Sequence, residues 1–133
     1  MAYLLDTNAC IQILNSQMSP VTRRALMIPP TEIFICTVAY SELYFGAYKS
    51  QRVERNISHL EGLLHEFCDL DFDRKAAQVA GRIRAGLAAQ GQTIGAYDTL
   101  IAAVAIANDL VLVTHNVREF DRVEGLSLED WQV

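Results

Sequence analysis

The sequence predicts an α/β fold in which a central parallel sheet of about four to five strands is flanked by helices. Short apolar, β-branched runs alternate along the chain with longer segments of helical periodicity, which is typical of a sheet covered on both faces. The chain has 133 residues, of which 51% are hydrophobic and 20% are charged. A chain of this size can bury a substantial core. Because no repeat or low-complexity linker divides the sequence, we expect a single domain over residues 1–133.

Five short segments predict the strands. Each is rich in apolar or β-branched side chains and is bounded by polar or turn-forming residues, as in the strands of a parallel sheet. In chain order they are residues 2–5, 32–36, 68–72 and 110–114, with a weak edge strand at 126–131.

Six segments predict helices, and capping residues mark the start of most of them. In chain order they follow Asp6, Ser19-Pro20 and Thr37, and then span residues 51–67, 74–90 and 96–108. Pro29 and Pro30 end the second helix, and Asp73 is placed to cap the fifth. Gly91 ends the fifth helix, because glycine readily adopts the left-handed conformation found after a helix C-terminus.

Polar residues follow two of the predicted strands directly. Asp6 follows the first strand, and His115 and Asn116 follow the fourth. In parallel α/β sheets the ligand crevice lies beyond the carboxyl ends of the strands, so both clusters are candidates for a site. The structural alternative is that Asp6 is a helix N-cap and that Asn8 bonds to local backbone amides.

Two further acids interrupt apolar helical segments. Glu42 has Gly46 one turn later on the same face, which leaves space there for another element or a ligand. Asp98 lies in the first turn of its helix, where the helix dipole favours an acid. However, Ile101, Ala102 and Ala105 share its face, and a buried carboxylate is costly unless it has a partner such as a metal ion. A half-exposed glutamate and a helix-dipole aspartate are the structural alternatives.

A fourth cluster follows residues 110–114. Thr114 and Asn116 can supply neutral oxygens, and Glu119 or Asp121 can supply charge, whereas His115 fits a loop role equally well. Oxygen ligands suit Mg²⁺ or Mn²⁺, and the lack of a Cys/His cluster argues against zinc. Hard metals of this kind activate water and stabilise the leaving oxygen in phosphodiester hydrolysis.

The composition limits the choice of partners. A net charge of −5 does not indicate nucleic-acid binding, although cations at a carboxylate site would offset part of it. For a metal-dependent nuclease, Lys49, Arg52 and Arg118 are expected to border the site and contact phosphates, with a solvated helix face as the alternative.

The cysteine and hydropathy patterns predict a cytoplasmic protein without a membrane segment. Cys10, Cys36 and Cys68 are far apart in apolar surroundings, as expected for reduced, buried thiols. The longest apolar stretch, residues 99–114, is interrupted by polar residues and is too short to span a bilayer.

Four segments, taken in order, carry a specific pattern: LLDTN at residues 4–8, SELYFG at 41–46, IGAYDTLIAA at 94–103 and LVTHNVREF at 112–120. Together they resemble the PIN-domain ribonucleases, and specifically the VapC-type toxins of bacterial type II toxin–antitoxin systems. The segments extend over almost the whole chain, and its length also fits that family.

The resemblance implies a small α/β domain and an Mg²⁺- or Mn²⁺-dependent endoribonuclease that hydrolyses RNA, often tRNA, and so inhibits translation. It implies a homodimer, or a larger assembly, held inactive by a cognate VapB-type antitoxin that inserts a segment near the acidic pocket. The aromatic residues of the helix after Thr37 are expected either to pack in the core or to line a groove for such a partner.

The resemblance also assigns residues. It implies that Asp6, Glu42 and Asp98 are catalytic, metal-binding acids, and that the pocket's supporting polar residues are Thr7, Asn8 and Thr114. Many PIN domains carry a fourth acid where this chain has Asn116, so Glu119 is expected to take that role directly or through water. One tightly held metal, with a second recruited by RNA, is the corresponding hypothesis.

Three other classes fit the sequence less well. A phosphoacceptor receiver domain needs a lysine after a late strand, and Thr114-His115-Asn116 offers none. A haloacid-dehalogenase-type phosphatase needs an aspartate where this chain has Asn8. A catalytically weak or inactive PIN-like domain, which binds RNA or a protein without turnover, remains the alternative that the altered fourth position keeps open.

Overall fold

Five parallel strands form one sheet, and helices pack on it. The computed structural model describes residues 1–133. The strands are β1 (Tyr3–Leu5), β2 (Ile33–Cys36), β3 (Cys68–Leu70), β4 (Val111–Val113) and β5 (Leu128–Glu129). The helices are α1 (Thr7–Asn15), α2 (Pro20–Leu26), α3 (Thr37–Tyr48), α4 (Val53–Leu64), α5 (Arg74–Ala89), α6 (Ala96–Ala107) and α7 (Val117–Phe120), with a 3-10 turn at Pro30–Glu32.

The strand order is β3-β2-β1-β4-β5, and every neighbouring pair is parallel. From β1 the chain first adds β2 and β3 on one side of the sheet and then crosses over to add β4 and β5 on the other. The order therefore reverses between β1 and β4, which is where open α/β sheets form their ligand crevice. The predicted fold class is confirmed, including the edge strand near the C-terminus.

The core lies between the sheet and the helices on both of its faces. Its largest fully buried side chains include Leu4 and Leu5 of β1, Ile33 and Ile35 of β2, and Ile101 of α6. Such continuous burial is expected of parallel strands, because both of their faces are covered.

The cysteines are all free thiols. Cys10 and Cys36 are buried, as predicted, whereas Cys68 is only partly buried because it lies on the edge strand β3. Burial raises the pKa of the Cys10 thiol well above its ordinary value. The Cys10 side chain therefore acts as a small apolar group in the core.

Most predicted helix caps are present. The Ser19 hydroxyl accepts from the Thr22 amide at 3.1 Å, and the Asp73 carboxylate accepts from the Ala76 amide at 3.0 Å. Gly91 has a φ of 67°, which explains the end of α5 at a glycine.

Three local features differ from what the sequence suggested: the cap of α3, the structural alternative for Asn8 and the length of α4. Thr37 does not cap α3 but is its first residue, and its hydroxyl instead accepts from the Phe72 amide at 3.2 Å, which ties α3 to the segment after β3. Asn8 does not hold the loop after β1, because it lies exposed inside α1 with Asp6 as the cap. Helix α4 is also shorter than predicted, since it begins at Val53 and residues 65–67 form the turn that leads into β3.

No helix has the length and apolar character that crossing a membrane requires.

Candidate active site

The carboxyl ends of three neighbouring strands bring polar side chains to one edge of the sheet. Asp6 follows β1, Thr114 follows β4 and Asp130 follows β5. The Asp6 amide donates to the Val113 carbonyl at 3.1 Å, so β1 and β4 stay paired up to the point where the acid begins. The strand register thus places Asp6 and Thr114 side by side at the crevice.

Asp6 is both a helix cap and a buried acid. Its Oδ1 accepts from the Ala9 amide at 2.7 Å, and the residue is only 5% exposed. Burial raises the pKa of Asp6, and the Thr114 side chain and the Ala9 amide oppose that rise. The negative charges of Glu42 and Asp130 raise the Asp6 pKa further. The cap explains why an acid stands here, but it does not explain why other acids gather around it.

Glu42 joins α3 to α1 across the crevice. The Thr7 hydroxyl donates to Glu42 Oε1 at 2.6 Å, and the glutamate is partly buried. Thr7 therefore fixes the Glu42 carboxylate toward the end of β1, where Asp6 lies. The space beside Gly46 is open, since a Cβ there would meet no atom within 4 Å. No other element approaches that glycine.

Asp98 and Glu119 form the other half of the site. Burial is the main cause that raises the pKa of Asp98 from 3.8 to about 6, and the charges of Glu119 and the two other acids add to it. The Gly95 amide donates to Glu119 Oε1 at 2.8 Å and is the main cause of the lowered pKa of Glu119. Opposite shifts of this kind indicate that Asp98 protonates first and that Glu119 keeps its charge.

Asn116 orients Glu119. Its Nδ2 donates to Glu119 Oε2 at 2.6 Å, and its own amide donates to Thr114 Oγ1 at 3.0 Å. Asn116, which stands where many PIN domains carry an acid, therefore holds the carboxylate of Glu119 in place. We call Asp6, Glu42, Asp98 and Glu119 the acidic pocket.

The three predicted RNA contacts lie on different elements of the structure. Arg118 is exposed on α7 beside the acidic pocket. Lys49 follows the C-terminal end of α3 and lies over the Phe45 ring at 5.3 Å, and it is seven residues from Glu42, which corresponds to about 10 Å of helix. Arg52 precedes α4 and is exposed. Asn8 is exposed one residue beyond Thr7, and its role in the pocket stays a prediction.

Asp130 and His115 were not predicted as a pair. His115 Nδ1 lies 3.0 Å from Asp130 Oδ2, and the negative charge of Asp130 contributes to the raised pKa of Asp6. Their proximity depends on a parallel β5, because only then does its carboxyl end lie beside that of β4. The residues after a predicted edge strand were the signal that could have found Asp130.

The donor set suits a hard cation. All four acidic-pocket side chains offer carboxylate oxygens, and the charges of the other three raise the pKa of Asp98. The Arg122 charge acts on Glu119 and contributes to its lowered pKa. No group of three or more His, Cys, Asp or Glu side chains is compact enough to enclose an ion unaided. Mg²⁺ keeps several waters and uses one or two carboxylates, so the donors fit an ion of that kind.

Comparisons with known proteins agree with this geometry. The PIN domain family model matches residues 3–126. The chain is 42% identical to the tRNA(fMet)-specific endonuclease VapC of Shigella flexneri, over 97% of each chain, and 38% identical to Ribonuclease VapC2 of Haemophilus influenzae, with the same coverage.

Solved structures extend the agreement to three dimensions. The DNA-bound VapBC of Salmonella typhimurium superposes with a TM-score of 0.93 at 38% identity, covering 98% of both chains. VapBC2 of Rickettsia felis, bound to a DNA fragment from its promoter, gives a TM-score of 0.92 at 35% identity, covering 98% of this chain and 99% of that one. The sequence, the sheet order and the strand-end acids lead to one assignment: this chain belongs to the PIN-domain family, among the VapC ribonucleases.

Proposed function

We propose that this protein is a metal-dependent endoribonuclease toxin that hydrolyses RNA phosphodiester bonds. The observation that carries the proposal is the acidic pocket, where burial and mutual repulsion raise the pKa of both Asp6 and Asp98. Such an arrangement costs folding free energy, and a bound cation would offset that cost. The VapC ribonuclease relatives support the same activity.

Mg²⁺ or Mn²⁺ is the proposed cofactor, held by Asp6, Glu42 and Asp98, with Glu119 as a fourth carboxylate acting directly or through water. The ion would supply Lewis-acid stabilisation of the phosphate and activation of the attacking water. One tightly held metal, with a second recruited by RNA, is the proposed stoichiometry. Calorimetric titration with and without a non-cleavable RNA tests it, and two tight sites in the free protein would contradict it.

Neutral residues of the chain position the acids. Thr7 holds Glu42 through its 2.6 Å hydrogen bond, and Asn116 and the Gly95 amide hold the two oxygens of Glu119. Thr114 hydrogen-bonds with Asp6 at the end of β4. This second set of contacts would keep the carboxylates in place against their repulsion when no metal is bound.

The proposed substrate is tRNA or another structured RNA, and its cleavage would inhibit translation in the cytoplasm, where tRNA is used. The proposed inhibitor is a VapB-type antitoxin, since the solved neighbours are VapBC complexes. Phe45 and Tyr48 on α3 are 65% and 64% exposed, which gives such a partner an apolar surface to cover. A homodimer, or a larger toxin–antitoxin assembly, completes the proposal.

A second candidate is a PIN-like domain that binds RNA without turnover. The observation that favours it is the lack of a compact group of three metal-binding side chains. Binding of RNA without any metal-dependent cleavage would support this candidate over the enzyme.

The deciding assay uses purified, antitoxin-free protein with total tRNA and Mg²⁺ or Mn²⁺. Asp6→Asn and Asp98→Asn are each expected to abolish cleavage, and Glu119→Gln to reduce it strongly. Asp73→Asn is the matched control, because asparagine caps helices about as well as aspartate and the Asp73 charge is not among those that shift the pKa of Asp6, Asp98 or Glu119. Equal cleavage by the wild type and all four variants would point to a contaminating nuclease and refute the proposal.

A further inference from the structure

Two open depressions share Arg122 as a lining residue, and the first of them includes Glu119 of the acidic pocket. The first, of about 670 Å³, includes Asn116 and Glu119 together with Arg118 and Arg122. The second, of about 450 Å³, lies between α5 and the loop after α7 and includes Arg82 and again Arg122. Because Arg122 lines both, the two depressions meet at its side chain, and together they extend from Glu119 to Arg82 on α5. We call Arg82, Arg118 and Arg122 the arginine groove.

None of the three guanidinium groups is held in a close ion pair. The ion pairs of the chain within 4.0 Å join the N-terminus to Glu32, Arg24 to Glu129, and His115 to Asp130, so none involves the arginine groove. All three arginines are exposed. Glu119 and Glu124 line the same two depressions, and the Arg122 charge contributes to the lowered pKa of Glu119, so the cations outnumber the acids here by three to two. In a chain with a net charge of −5, this local excess of cations is an exception to the overall charge.

Arg122 holds the middle of the groove. Its Nη1 donates to the Thr93 carbonyl at 3.2 Å, which ties the loop before α6 to the segment after α7. The remaining guanidinium donors are available to a ligand, since an arginine side chain carries five N–H groups. Arg122 thus presents a fixed planar fork of the kind that suits phosphate oxygens.

We infer that the arginine groove binds the phosphates of the RNA strand on one side of the scissile bond, as the strand leaves the acidic pocket toward α5. The inference rests on the proposed ribonuclease function and extends it by giving the strand a path. It adds Arg82 and Arg122 to the predicted contact Arg118, and it places the RNA away from Lys49 and Arg52. Electrostatic contacts of this kind set position and affinity rather than sequence preference.

Binding is tested first without cleavage, in EDTA, by fluorescence anisotropy of labelled tRNA and of a labelled single-stranded oligoribonucleotide. Arg82→Gln and Arg122→Gln are each expected to weaken binding about fivefold, which is near the free energy of one modest ionic contact. Each should also reduce the salt slope of single-strand binding by about 0.7. Arg74→Gln, an exposed arginine in the first turn of α5 that lines neither depression, is the matched control.

Cleavage then tests the path. Oligoribonucleotides that contain the cut site are shortened from the 5′ or the 3′ side. Shortening on one side only should slow cleavage by the wild type, and the same truncation should have little effect on Arg82→Gln. Arg82 is exposed and forms no ion pair within the chain, so its replacement should not disturb the fold. A loss in Arg82→Gln therefore cannot come from local misfolding, which the loss of the Thr93 hydrogen bond could cause in Arg122→Gln.

The outcomes separate the two proposals. RNA binding that depends on Arg82 and Arg122, without metal-dependent cleavage, would keep the groove and refute the enzyme. Cleavage by the wild type with unchanged affinity and salt slope in both variants would refute the groove and keep the enzyme. Two other results would also refute the groove. One is an equal loss of RNA affinity in Arg74→Gln, and the other is wild-type cleavage that slows equally when the oligoribonucleotide is shortened from either side.

Discussion

Replacing Asp98 with asparagine should stabilise the metal-free protein at neutral pH. Burial and the neighbouring acids raise the pKa of Asp98 from 3.8 to about 6. A shift of roughly 2 units corresponds to about 3 kcal/mol of unfavourable free energy for the ionised group. Because Asp98 is only half-buried, solvent screening reduces the expected gain to about 1–2 kcal/mol.

The sign of the pH dependence follows from proton binding. The folded chain holds the Asp98 proton to a higher pH than the unfolded chain does, so its contribution is most favourable below the unfolded pKa of 3.8. That contribution is lost as the pH rises through about 6. The Asp98→Asn variant has no such proton, and its advantage over the wild type should therefore grow between about pH 4 and pH 7.

Thermal unfolding in EDTA across this pH range measures the effect. A gain of about 1–2 kcal/mol raises the Tm of a domain of this size by about 3–8 °C. Adding Mg²⁺ should then raise the Tm of the wild type more than that of the variant, because a ligand stabilises only the state that binds it. Asp73→Asn is the control and should show neither effect.

Two results would refute this reasoning. A variant that is less stable than the wild type at every pH would mean that the Asp98 carboxylate makes a net favourable contact in the apo fold. A Tm difference that does not change with pH would mean that the titration of Asp98 is not the cause.

Two further predictions concern the groups around the acids. Thr7→Val removes the hydroxyl that donates to Glu42, so we expect a weaker apparent Mg²⁺ affinity in cleavage assays. Thr7→Ser keeps a hydroxyl and should retain the wild-type affinity. If both variants keep the wild-type metal dependence, the hydrogen bond does not position Glu42. Gly95→Ala places a Cβ 3.3 Å from Asp98 Oδ2, so cleavage should fall with little loss of Tm. Gly62→Ala, whose Cβ meets nothing within 4 Å, should keep full activity and gain up to about 1 kcal/mol as a helix-interior alanine.

The elements of the fold could be predicted because local chemistry determines them. Apolar runs without alternation require burial on both faces, which a parallel sheet provides, and Ser19 and Asp73 cap the helices that they precede. Thr37 shows the limit of this reasoning. A threonine before a helix is normally a good cap, but its hydroxyl is taken here by the Phe72 amide, a partner 35 residues away that local sequence cannot reveal.

The site shows the same limit. Sequence position predicted which strand ends Asp6 and Thr114 would follow, and so predicted the crevice. It could not predict that Thr7 would reach Glu42, because that bond depends on how α1 packs against α3. Asp130 depends in turn on a two-residue edge strand whose direction the sequence leaves open.

The geometry at Asn116 explains why a neutral side chain can stand at the position where many PIN domains carry an acid. Its Nδ2 lies 2.6 Å from Glu119 Oε2, so an aspartate at 116 would set two carboxylates against each other unless one were protonated. The amide instead donates a hydrogen bond that, together with the Gly95 amide, lowers the pKa of Glu119. The pair therefore keeps one negative charge beside Asp98 and holds it by donors from two different loops. On this argument Asn116 and Glu119 act as a unit, and Asn116→Asp should raise the pKa of Glu119 rather than add a working fourth acid.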